Sequence, residues 1–421
     1  MKILIFVFSL LSLNAVNTYI LERVNGIVGD VNQLEFDSDG NAYVFTFDGQ
    51  NQRLYKLNST NDLLWTIDTA DYSVRGIIIN SQNKVYLKLY SRINQLTSIG
   101  ILREDTLTIE EIVQVMSEIT EPILLDEEDN LYYNGLDGIA LLRPNSTVPI
   151  LIQNLENTYS YYGDEGIAID SEGNIYIGII NIITNNISIA MVTKDAKHEE
   201  IPSATLFELS SDIYVEHLLI DDADNLWVFV WDSQTSYIKR ISNNYIIEDR
   251  FSDDVYRVLQ AKVVKNRVYF FPAYLNHNRN TAFFFTSDVG VQKIPELENV
   301  VHNLFTYSSA VVDNDDNLYF GIYFPNGNNQ ILIIRPPDQN NTWISFSRAI
   351  RVRFIALDEN DDLWIIGDGE GVYVLRKGEE TPIEVIVPPE VQIYRGINVN
   401  KKSKQVFILN SGGLFVGKND S

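Results

Sequence analysis

IALDENDDLWIIG, residues 355–367, reads as an apolar strand, a polar turn of Asp, Asn and Glu, and a second strand led by an aromatic residue. Asp and Asn tolerate left-handed backbone angles and bond their own main chain, so such a centre between two β-rich runs is a hairpin. The phrase returns as LEFDSDGNAYVF (34–45), LLDEEDNLYYNG (124–135), IAIDSEGNIYIG (167–178), LIDDADNLWVFV (219–230) and AVVDNDDNLYFG (310–321). Weaker copies stand at IIINSQNKVYLK (77–88), AKVVKNRVYFF (261–271) and INVNKKSKQVFIL (397–409). Each copy carries an aromatic residue at one place after its turn: Tyr43, Tyr86, Tyr132, Tyr176, Trp227, Tyr269, Tyr319, Trp364 and Phe407, 42 to 51 residues apart. Two further short runs follow each phrase, such as QRLYKLN and DLLWTI in the first unit.

Four short strands in about 40 to 50 residues is the length of a propeller blade. The expectation is an all-β chain forming a single closed β-propeller of four-stranded blades. Nine blades are expected, with eight plus an irregular unit near Tyr269 as the alternative count. The last unit stops after its third strand (GGLFVGK), and a spare strand over residues 19–24 precedes the first unit. That N-terminal strand would complete the final blade, close the ring and remove an open sheet edge. Residues 108–117 (TIEEIVQVMS) pass for a helical turn or two but fall where a fourth strand belongs.

The 421 residues are 45% hydrophobic and 11% aromatic, enough to build a core and to exclude wholesale disorder. With no Cys there are no disulfides, no thiolate zinc site and no cysteine nucleophile. The four His residues show no HExxH spacing, which disfavours a His-based zinc centre. A net charge of -25 repels phosphate backbones, so nucleic acid is not an expected partner. Met1, Lys2, an apolar run over residues 3–13 and Ala15 follow the order of a secretory signal peptide, with cleavage after Ala15 or Asn17. Residues 1–17 are therefore expected to be removed and 18–421 to form the propeller. The apolar run is too short to span a bilayer and no longer one follows, so a secreted, extracellular protein without a membrane span is expected. Asn-x-Ser/Thr sequons at Asn58, Asn145, Asn186, Asn340 and Asn419 agree with that destination.

In a propeller the turns between first and second strands share one face, and the loops entering each first strand share the other. The turn face collects acids, among them Asp37, Asp39, Glu127, Glu128, Asp129, Asp221, Asp313 and Asp358. Asp37-Ser-Asp39-Gly40-Asn41 begins like a calcium loop, but no distal bidentate carboxylate recurs at fixed spacing. Turn formation is the preferred reading, and no cofactor is expected, calcium or another divalent metal being the alternative.

The entry loops pair aromatic rings with cations: Tyr72 with Arg75, Tyr214 with His217, Tyr256 with Arg257, His302 with Tyr307, Arg351 with Arg353, and Tyr394 with Arg395. Tyr159, Tyr161 and Tyr162 lie in the longest loop. Flat rings beside guanidinium groups suit a planar, acidic, aromatic ligand at the channel mouth; packing between blades is the plainer reading of each pair alone. Catalytic signals are poor. GxSxG is absent, and GDGEG (367–371) sits between strands with no helix to follow. Glu35, Asp71, Asp164, Glu165, Asp212 and Glu216 offer oxygens for a metal, with no spacing that selects a set.

The repeated phrases, with the hairpins NGLDGIALLRPN (134–145), GDGEGVYVLRKG (367–378) and NSGGLFVGK (410–418), resemble the insect ommochrome-binding proteins and the wider gluconolactonase/TolB-like propellers. The resemblance implies an extracellular carrier of a tryptophan-derived pigment. Three functions stay open at this point: a secreted small-molecule binding protein, a metal-dependent lactonase or esterase-like hydrolase, and an extracellular platform that captures a basic protein on its acidic rim.

Overall fold

Second strands of the repeat are buried on both sides. In Leu363–Gly367 every residue is buried, and in Ala42–Phe47 all but the last. A sheet sandwiched between two others has no solvent face, so its inner strands read as continuous apolar runs, while outer strands such as Leu63–Asp68 are largely exposed. The computed structural model describes residues 18–69, 71–115, 124–134, 138–144, 146–156, 158–160, 167–181, 183–184, 186–193, 203–209, 214–231, 236–242, 245–250, 255–264, 267–274, 283–286, 290–293, 310–322, 330–335, 341–346, 350, 352–367, 371–388, 391 and 394–420. The targeting segment 1–17 and the sequons Asn145 and Asn340 lie outside them.

Among the described residues there is no helix, and the strands form nine antiparallel sheets, seven of them sequential meanders. Eight have four strands. The first comprises Asp30–Phe36, Ala42–Phe47, Gln52–Leu57 and Leu63–Asp68. In the last, Tyr394–Asn400, Gln405–Asn410 and Gly413–Asp420 are joined by the N-terminal strand Thr18–Arg23, which runs antiparallel to Gly413–Asp420 with Tyr19 opposite Asn419. The spare strand starts one residue earlier than its sequence suggests and pairs as expected. Thr108–Val115 is the outermost strand of the second sheet, so the helical alternative for 108–117 fails: ladder bonds to Thr97–Arg103 override a local 3.6-residue pattern. The fourth sheet has five strands because its innermost position is shared. Thr158–Ser160 and Ile167–Ile169 both pair with Ile175–Asn181, so part of the expected long loop, Tyr159 included, is strand.

The apolar clusters lie between sheets. One joins Tyr43, Phe45 and Leu54 of the first sheet to Val74, Ile77 and Leu87 of the second. Others join the third to the fourth, the fourth to the fifth, the seventh to the eighth and the eighth to the ninth. A further cluster brings Leu34, Val44 and Tyr55 of the first sheet against Phe407, Leu409 and Leu414 of the last. The N-terminal strand is also held on its outer side, where Leu21 N–H donates to Ile386 O (3.0 Å) and Ile386 N–H to Tyr19 O (2.9 Å). Tyr19 meets the Trp364 ring edge-on at 5.5 Å, and the same indole lies so close to Gly417 that an added Cβ would sit 2.4 Å from it.

The turn acids are spent on the turns. Asp221 accepts Ala223 N–H (3.0 Å), Asn225 N–H (2.9 Å), the Asn225 amide and the buried indole Nε1–H of Trp227 (2.9 Å). Asp126, Asp170 and Asp313 repeat the pattern, with the hydroxyls of Tyr132, Tyr176 and Tyr319 in place of the indole. Trp364 Nε1–H donates to Asp358 (3.1 Å). In these five repeats the marker aromatic residue therefore completes its own turn's carboxylate. Three residues after each of these acids the chain takes left-handed angles, at Asp129, Asp224, Asp316 and Asp361 among others. Those residues tie neighbouring sheets: Ser81 donates to Asp129, Ser171 to Asp224, and Asn314 to Asp361. The tie between Asn83 and Ser38 follows the same geometry, and Lys404 with Glu359 reverses its charges. Where the left-handed residue is Gly173 it has no side chain to offer, and the preceding turn carries Glu127 at the serine position.

Two substitutions test this packing by chemical denaturation. Gly417→Ala should cost about 1–3 kcal/mol by overpacking against Trp364. Asp221→Ala should cost about 1–3 kcal/mol or more, because it strands a buried indole N–H and two turn amides; Asp222→Ala, on the exposed next residue, should be near neutral.

Candidate functional site

Innermost strands share an irregularity that no sequence pattern announces. In the first, second, fifth, eighth and ninth sheets a β-bulge skips the residue five positions before the turn acid or amide: Asn32, Arg75, Glu216, Arg353 and Arg395. The sixth sheet, whose turn is shorter, bulges at Leu259 and again at Tyr256. A bulged residue has no partner across the ladder, and bulges re-aim side chains beside binding sites. Three of the cations expected at the channel mouth, Arg75, Arg353 and Arg395, are thus placed by one repeated backbone device.

Their contacts are specific. The Arg75 guanidinium lies 5.7 Å from the Tyr90 ring centre, and Gln33 Nε2–H donates to Arg75 O, linking first and second sheets. Arg353 stacks 5.3 Å over Phe354. Arg395 pairs with Asp30 at 3.1 Å, a half-exposed bridge from the last sheet to the first. The aromatic partners behave otherwise. Tyr394 is buried in the cluster between eighth and ninth sheets, where burial pushes its hydroxyl up to about 12. Hydrogen bonding to Glu111 pushes Tyr72 up to about 12. His217 is buried, with its ring edge-on to Phe229 at 6.0 Å. Tyr214 begins a strand, and Tyr256 and Arg257 begin the innermost strand of the sixth sheet. Tyr161, Tyr162, His302, Tyr307 and Arg351 lie outside the described residues. Of the sequons that are described, Asn186 is exposed, Asn58 holds its own turn by accepting from Thr60 and Asp62, and Asn419 is in the last strand.

At the turn end of the same innermost strands, the first, second and last sheets enclose a cleft of about 600 Å³, with Glu35, Ile79, Asn80 and Asn398 in its walls and Lys401 and Lys402 among its lining residues. Glu35 has open surface toward this cleft, yet protein from three sheets surrounds it. That desolvation alone pushes its carboxyl up to about 7. Sequence reading counted Glu35 only as one metal oxygen among several. Its register offered a signal: the matching position is apolar in most other units. Among the described residues, no group of three or more Asp, Glu or His is placed to hold a metal.

No family model matches the chain, and no curated protein does. Among solved structures it is similar to a streptogramin B lyase (12% identity, 96% of this chain and 98% of that one, TM-score 0.44). It is also similar to the Dos1 propeller (8%, 96% and 95%, 0.49) and to a putative gluconolactonase (8%, 61% and 88%, 0.32). These likenesses do not bear on activity.

Glu35 makes stability depend on pH with a definite sign. Its ordinary value is 4.5, so between pH 4.5 and about 7 the unfolded chain releases this proton before the folded one does. The group's contribution is fully present below 4.5 and is lost as pH rises through 7. Glu35→Gln should therefore gain melting temperature over the parent protein across that window, with a constant difference on either side, as measured by scanning calorimetry at steps of pH.

Proposed function

We propose that the nine sheets are the blades of one closed ring, and that the exported chain, without its first 17 residues, binds a small acidic aromatic molecule at the entry end of the channel without transforming it. Packing of the last sheet on the first, together with the pairing of Thr18–Arg23 into the last sheet, supports the closed ring. The recurrent bulge carries the ligand reading. It sets Arg75, Arg353 and Arg395 at the same strand position in the second, eighth and ninth sheets, which a closed ring makes an arc interrupted only by Asn32 of the first.

The chemistry follows from the arc. Arg75 stacked on Tyr90 offers edge N–H groups to a planar carboxylate, and the Tyr90 and Phe354 rings extend an aromatic wall. Asp30 holds Arg395 in an exposed pair of the kind worth about 0–1 kcal/mol, so a ligand carboxylate can take its place at small cost. A basic protein on the acidic rim is a weaker reading, because the first acid of each turn is engaged by the turn itself.

Recovery from the medium of secreting cells, followed by native mass spectrometry, should give a chain lacking the first 17 residues. Titration with aromatic carboxylates and their matched amides should show the acids binding more tightly, and Arg75→Ala and Arg395→Ala should each weaken them by about tenfold or more. Equal binding of acid and amide, or indifference to both substitutions, would overturn the reading.

A further inference from the structure

The Glu35 cleft lies at the other end of the innermost strands from the arginine arc. Glu35 stands two residues before its turn acid, and at that register six other units carry Ile78, Leu124, Ala168, Leu219, Val311 and Ala356. The ninth carries Asn398, whose amide donates to Leu34 O in the first sheet (2.9 Å). Glu35 makes no such bond. A carboxyl at a position that six other units fill with hydrocarbon, open to the cleft and in no ion pair, is free to meet a ligand.

Most other polar groups of the cleft are occupied. Asp37 accepts Asp39 N–H (3.0 Å), Asn41 N–H (2.8 Å) and the Asn41 amide (2.8 Å). Ser38 and Ser81 donate their hydroxyls to Asn83 and Asp129. Asn400 donates to Gly40 O (2.9 Å). Asn80 is 4% exposed, and its Oδ1 takes the N–H groups of Gln82 and Lys84, which fixes its orientation and leaves a buried Nδ2 donor without a partner. Lys401 and Lys402 line the cleft as well, and neither forms an ion pair with Glu35. Phe36, Ile79 and Val399 supply apolar wall.

We propose that this cleft is a second site, separate from the arginine arc, for a small organic molecule bearing an ammonium group, which pairs with Glu35 while its carbon body lies against Phe36, Ile79 and Val399. A cation is the ligand charge that pairs with a lone carboxylate. An ammonium on a carbon frame suits a cleft that offers one free carboxylate and apolar walls, whereas a metal ion needs several oxygens. Binding ionises Glu35 and releases its proton to solvent.

The test is calorimetric titration of the full mature chain with two probes of like size, 2-phenylethylamine and 2-phenylethanol. The amine should bind, with the alcohol at least about tenfold weaker. Below pH 7 the amine's affinity should fall by about tenfold per pH unit, with proton release read from the dependence of heat on buffer ionisation enthalpy. Glu35→Gln should abolish amine selectivity and flatten that pH dependence, while Asp222→Ala, on an exposed turn residue, should leave both unchanged. Amine binding that is absent, no tighter than alcohol binding, or unaltered by Glu35→Gln would overturn the proposal. The alcohol comparison on the parent protein decides the matter even if the variant fails to fold. Failure here would leave acid binding at Arg75 and Arg395 untouched, since that is read with carboxylates and different variants.

Discussion

A carboxylate in most turns organises this molecule, with Asn80 and Asn400 taking its place in the second and last sheets. The first Asp of the repeat accepts two backbone N–H groups and then reaches an Asn amide or the polar atom of an aromatic residue six positions on. A tight turn is thereby welded to the buried strand that follows it. Each bond is worth only about 1 kcal/mol net, but an orphaned buried donor would cost more, so the residue types are tightly constrained. The left-handed residue three positions after the acid then presents its own side chain to the preceding turn, and local turn chemistry becomes contact between sheets. Hydrogen bonds from Ser171 hold the Asp224 carboxyl below its usual range, the electrostatic trace of such a tie.

Stacking of sheets face to face governs the rest. It buries the second strands on both sides and leaves the innermost strands as the surface from which a site can be built. Bulges near the start of those strands place Arg75, Arg353 and Arg395, while the unbulged turn end places Glu35. Binding chemistry is thus carried by departures from the repeat, in backbone at one end and in residue type at the other.

The repeat phrase, the strand content and the spare N-terminal strand were legible because they depend on spacing and alternation along the chain. The candidate site was legible in part. Arg75, Arg353 and Arg395 stood out as cations beside aromatic residues, yet Tyr394 and His217, chosen by the same criterion, are buried between or within sheets. Adjacency in sequence does not say which neighbour a bulge turns outward. Thr158–Ser160, expected in a loop, is strand for a related reason: a short segment's own preference is weak beside the ladder it joins.

By itself the sequence determined a Cys-free, acidic, all-β repeat whose turns are made of Asp and Asn, since those properties follow from residue type and period. Only the tertiary structure decided where that acidity goes and what is left over. It spends the turn carboxylates on their own backbone and on neighbouring sheets, and it leaves Glu35 uncompensated in a cleft. Desolvation and hydrogen-bond satisfaction are properties of what surrounds a group in space, and residues from the second and last sheets, far from Glu35 in sequence, do the surrounding.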